Sequence, residues 1–228
     1  MRPLISLLMA SCMSMASWAS GNDVFVGFAY ALDSDDLLYR EEHRIQYEDE
    51  QPVSGEVIYL DADENELGIK RSRYREPARP AYEFDFTGLD RDTERVEPGD
   101  AGVRVDSVRS GNLDWPSGEA VIDSGFHYFI LAHFDRLKAG DTLRLEFLAP
   151  TRVSWTSLVI EPQSNSNDRL VMQLKPRNRL ISLFFDPIRL TYDIPSRRLL
   201  EYRGLTNVPK AGGGNYTARI EYQYEGEL

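Results

Sequence analysis

The chain has 228 residues, of which 37 are acidic and 26 basic, a net charge of −11 at neutral pH. So acidic a surface repels phosphate backbones and anionic headgroups, which argues against nucleic acid and against nonspecific adsorption to membranes. The single cysteine, Cys12, rules out an internal disulfide, and its loss on processing would also rule out a thiol nucleophile or a thiolate metal site.

The N-terminus reads as a secretory signal peptide over residues 1–19. Arg2 supplies a positive charge, Leu4 to Ala10 a short apolar core, and Ser17-Trp18-Ala19 the small residues that a signal peptidase reads. Cleavage after Ala19 predicts a mature chain of residues 20–228 that carries no thiol, and loss of Arg2 takes its charge to −12. The competing processing route is acylation of Cys12 in Met9-Ala10-Ser11-Cys12, which would anchor the chain to a membrane. The absence of cysteine from the mature chain points to a bacterial periplasm, where the sequon Asn215-Tyr216-Thr217 carries no glycan. No later stretch is apolar for long enough to span a bilayer as a helix.

From Val24 onward the dominant period is two. Large side chains at Val24, Val26, Phe28 and Tyr30 alternate with mostly smaller ones at Gly27, Ala29 and Ala31, which gives a strand with one bulky and one thin face. Asp61 to Glu66 reads as a hairpin loop, since Asp61-x-Asp63-x-Asn65 starts like a calcium loop but has Glu66 where that loop needs Gly. Arg75-Glu76-Pro77 and Glu97-Pro98-Gly99-Asp100 read as further loops.

One segment breaks the rhythm. Asp123 or Ser124 caps a predicted helix that Ala139-Gly140 ends, and at 100° per residue Phe126, Phe129, Ile130, His133, Phe134 and Leu137 gather on one face. A weaker helical run spans Asn178 to Phe185. Alternation then returns in Leu143-x-Leu145-x-Phe147, in Leu170-x-Met172-x-Leu174, and from Tyr216 to Tyr224 after the Gly212-Gly213-Gly214 loop. The prediction is a single, mainly β domain, α+β by strict count. Its curved antiparallel half-barrel sheet meanders around one or two helices.

Catalytic signatures are weak. His127 and His133, six apart, cannot share a metal on one helix, and His133 reads as a core residue or a polar handle in a cavity. Glu41 and His43 share a strand face with Ile45, which makes them acid–base candidates or simply neighbours on an exposed face. Neither metal nor cofactor is implied. The cavity candidates are Phe126, Phe129, Ile130, His133 and Phe134.

Gly27-Phe28-Ala29-Tyr30 with Leu37 to His43, Asp186 to Asp193, Arg198 to Asn207, and Asn215-Tyr216 with Ile220-Glu221-Tyr222 resemble an uncharacterised family of exported proteins of Gram-negative bacteria. The resemblance covers about half of the mature chain, leaves residues 74–117 outside it, and implies a periplasmic address without an activity. The strand-and-helix pattern is similar in architecture to the half-barrel periplasmic carriers of lipoproteins, a likeness of fold and not of motifs. The expectation is therefore a non-catalytic carrier or binder of an apolar, lipid-like molecule. The alternatives are an envelope interaction module bound to another envelope protein, and a periplasmic hydrolase.

Overall fold

The computed structural model describes residues 20–89, 91–166, 168–178, 186–210 and 212–225. The signal peptide, Cys12 and most of the weaker helical run from Asn178 to Phe185 lie outside the described residues. Eight strands precede the helices: β1 (Ser20–Tyr30), β2 (Leu37–Glu48), β3 (Gln51–Asp61), β4 (Glu66–Arg73), β5 (Ala81–Asp85), β6 (Glu94–Pro98), β7 (Gly102–Asp106) and β8 (Ser110–Asp114). A two-residue strand, β9 (Ala120–Val121), leads into α1 (Gly125–Ala132) and α2 (Phe134–Lys138). Six strands follow among the described residues: β10 (Leu143–Ala149), β11 (Ser154–Ser166), β12 (Arg169–Pro176), β13 (Ile188–Asp193), β14 (Leu199–Pro209) and β15 (Asn215–Tyr224).

All fifteen strands form one curved, open sheet in the order β8-β7-β6-β5-β4-β3-β2-β1-β15-β14-β13-β12-β11-β10-β9. Every neighbouring pair is antiparallel except β9 with β10. The first and last strands meet in the middle, with Phe25 opposite Tyr224 and Gly27 opposite Tyr222. The expected meander is thus two meanders, one from each end of the chain, zipped along β1 and β15.

The hairpins follow local chemistry. Asp61 Oδ1 accepts from the Asp63 and Asn65 amides at 2.9 and 2.8 Å, so the calcium-like start is a side-chain-stapled turn. In the β14–β15 loop Gly213 and Gly214 take positive φ (91° and 69°), a conformation that L side chains resist. The loop expected at Glu97-Pro98-Gly99-Asp100 begins later, because Glu97 and Pro98 still pair with Arg104 and Val103.

Two apolar clusters fill the concave side. One joins Phe129, Ile130, Phe134 and Leu137 of the helices to Leu143, Leu145, Ile160, Leu170, Met172, Leu190 and Tyr192 on β10–β13. The other joins Tyr59, Tyr82, Phe84, Val96 and Val105 on β3–β7 to Ile122, Leu148 and Val208, so the two wings of the sheet curl onto each other. The helices therefore cover one wing, as their apolar stripe predicts. The predicted single helix breaks at His133 (φ −113°, ψ 14°), whose Nδ1 donates to the Phe129 carbonyl at 3.0 Å. Among the described residues no helix is long and apolar enough to cross a membrane.

Candidate functional site

The inward face of β2 carries Tyr39, Glu41, His43, Ile45 and Tyr47, an alternation that ordinarily buries apolar side chains. Here it buries a carboxylate and an imidazole. Register places Glu41 in a transverse row with Tyr59 on β3, Gly27 on β1 and Tyr222 on β15. His43 lies in the next row with Phe25 and Tyr224.

Gly27 makes the row possible. A Cβ there would stand 2.8 Å from Tyr222 Cε1, so the tyrosine ring lies across the glycine and its hydroxyl donates to Glu41 Oε2 at 3.3 Å. His43 Nε2 donates to the same oxygen at 2.9 Å, and its ring stacks on Phe25 with centroids 4.3 Å apart and 11° between the planes. Side-chain exposure is 7% for Glu41 and 15% for His43. The reading of this pair as an exposed strand face is therefore incorrect: the alternation is right, but the sheet's curl turns that face inward.

Four phenols surround the carboxylate. Burial, and after it the Glu41 charge, pushes Tyr39, Tyr59, Tyr202 and Tyr222 above the ordinary phenol range. The Tyr202 hydroxyl donates to the Leu205 carbonyl. That of Tyr39 is fully buried and, beyond a loose approach to Thr206, has no partner. Toward the end of the same strip, burial raises the Asp23 carboxyl, and Arg198 partly offsets the shift.

Helix α1 reaches from β13 to β2 near one end of the strip. His127 shares a 3.0 Å hydrogen bond with the Tyr192 hydroxyl and stacks on that ring at 5.8 Å. Burial, reinforced by His43, pushes its imidazole down to about 4. Tyr128 meets Tyr47 hydroxyl to hydroxyl at 3.2 Å. The inward side chains of Phe25, His43, Tyr202 and Tyr222 nonetheless keep part of their surface accessible, whereas Ala29, Tyr39 and Ala218 on the same strands are sealed.

A second buried polar nest anchors the start of α1. Lys70 Nζ contacts both Asp123 oxygens at 3.0 and 2.9 Å, and Asn207 donates to Oδ1 at 2.7 Å. The ammonium sits 4.8 Å from the Phe84 ring centre. Ser124 makes no side-chain cap and instead accepts from the Tyr74 hydroxyl, whose phenol burial pushes up to about 12.

The cavity candidates divide. Phe129, Ile130 and Phe134 are sealed in the helix-side cluster, and Phe126 packs edge-on against Phe147 at its margin. His133 faces Glu119 at 3.5 Å, away from the Glu41 strip's own contacts. The thin face of β1, and not the bulky one, looks inward, because Tyr222 and its neighbours fill the space over Gly27. Two surface hollows, of about 560 and 240 Å³, are lined by other residues: Phe86, Leu89, Arg91 and Val108 among them in the first, and Asn22, Tyr47 and Val53 in the second.

Sequence reasoning missed Tyr222 as a partner of Glu41, since β15 and β2 lie at opposite ends of the chain, and it missed Phe25 and Gly27 as the groups beside the pair. The one local signal was Tyr39-x-Glu41-x-His43 on a face that Ile45 marks as inward. Among the described residues no group of three His, Cys, Asp or Glu is placed to hold a metal ion. No family profile, curated protein or solved structure matches the chain.

Proposed function

We propose that this chain is an exported, non-catalytic binding protein for an apolar, lipid-like molecule that lies along the inner aromatic strip. One observation carries the reading. Phe25, His43, Tyr202 and Tyr222 point inward at the centre of the sheet, between two sealed apolar clusters, yet retain accessible surface. A filled core would close over them as it closes over Tyr39. Aromatic walls with a few convergent polar groups are the usual lining of a small-molecule site. Export rests on the character of residues 1–19 and on the resemblance to exported proteins.

The test is native mass spectrometry of protein prepared from its own periplasm without detergent. A discrete added mass that organic solvent removes is the expected result, and the same spectrum reports cleavage after Ala19 or lipid on Cys12. A bare chain, with no uptake of an offered fatty acid or lysolipid, overturns the reading.

A second reading, an envelope assembly module, is favoured by the sheet's end at β8, beside whose outer edge no strand lies among the described residues. Strand addition by an extended partner segment uses such an edge. Crosslinking from Asn112 in intact cells would then trap one specific envelope protein.

A further inference from the structure

We infer that the strip binds the ammonium head of a single-chain amphiphile, with Glu41 as counter-charge and the accessible rings of Phe25, Tyr202 and Tyr222 as its cage. The inference rests on the binding reading above and adds the charge of the ligand. Its ground is a contrast between two inward acids, Asp123 and Glu41. Asp123 meets a permanent cation, Lys70, at 2.9 Å. The only ion-pair partner of Glu41 among the described residues is His43, an imidazole and not a permanent cation.

Burying a carboxylate without a fixed cation is costly, and proteins keep such groups where a ligand or reaction uses them. The surroundings suit a soft organic cation. The Tyr222 hydroxyl bonds Glu41 at 3.3 Å, and Phe25, Tyr202 and Tyr222 keep accessible surface in the same strip. Ring faces attract alkylammonium groups most strongly where water is excluded. An anionic head would meet Glu41 directly and be rejected.

Isothermal titration of the full mature protein compares dodecyltrimethylammonium, laurate and neutral glycerol monolaurate below their aggregation concentrations. Half-molar salt suppresses the general attraction of the acidic surface for cations. The expected result is at least tenfold tighter binding of the ammonium compound than of the other two. Glu41→Gln removes that preference while the neutral compound binds as before. Glu42→Gln, on the outer face of the same strand, serves as the control and changes nothing. Equal binding of all three compounds, or a preference for the ammonium that survives Glu41→Gln, overturns the ammonium inference and leaves an apolar site. If none of the three binds, both readings fall. The headgroup ranking on the unaltered protein decides the matter even if Glu41→Gln fails to fold.

Discussion

Two inward acids, Asp123 at the start of α1 and Glu41 on β2, are built in opposite ways. Asp123 is held by Lys70, Asn207 and the turn that starts α1, and it does a structural job: it ties the helix to β4 and β14. Glu41 has an imidazole at 2.9 Å and a phenol at 3.3 Å for company, in a strip where neighbouring rings are still accessible. A charge that is fully compensated stabilises an arrangement, whereas one that is half compensated lowers stability and keeps a group available. Mutation should separate the two.

The largest effect is expected from Lys70→Met, which leaves the Asp123 carboxylate buried without its cation. Breaking such a pair costs about 3–5 kcal/mol, and the loss would appear as a lower denaturation midpoint at an unchanged slope. Phe129→Ala, in the sealed cluster, should also cost about 3–5 kcal/mol, while Phe25→Ala on the accessible strip should cost well under half of that. Equal losses at the two positions would show that the strip is as tightly filled as the helix-side core.

Acid comes next. His127 in the folded chain titrates near 4, below the ordinary imidazole value of about 6.5, so the unfolded chain takes up its proton first. Its contribution is complete above about pH 6.5 and is lost as the pH falls toward 4, at no more than about 1.4 kcal/mol per unit. The partial accessibility of the ring makes that slope an upper bound. His127→Phe, which retains the stack on Tyr192 and cannot charge, should flatten the dependence in denaturation curves measured between those values.

The smallest effect is expected from Glu41→Gln. Removing a poorly compensated buried charge should leave stability within about 1 kcal/mol of the parent or raise it. A loss above about 2 kcal/mol would place Glu41 with Asp123 as a structural group.

The fold class was legible because period-two alternation and a single apolar-faced helix are local signals, as in Leu170-x-Met172-x-Leu174 and Phe129 to Leu137. The helix break at His133 was not legible, since it depends on one imidazole taking a backbone carbonyl. Nor was the facing of β1: Gly27 and Ala29 look inward only because Tyr222, nearly two hundred residues later, fills the space above them. The Glu41–His43 pair was visible as a pair. Its burial was invisible, because that follows from the curl of the whole sheet.

The meeting of β1 and β15 at the centre of the sheet has a consequence for how the molecule is assembled. A chain delivered from its N-terminus presents β1 with one edge open until β15 arrives, so the central pairing closes last and at the greatest loop length. Joining residue 225 to residue 20 through a short linker, and opening the chain between β8 and β9, would give the order β9 to β15 followed by β1 to β8. Every sheet neighbour would then also be a neighbour in sequence. The same architecture would become a chain that could be laid down strand by strand, with no seam held open for a late arrival.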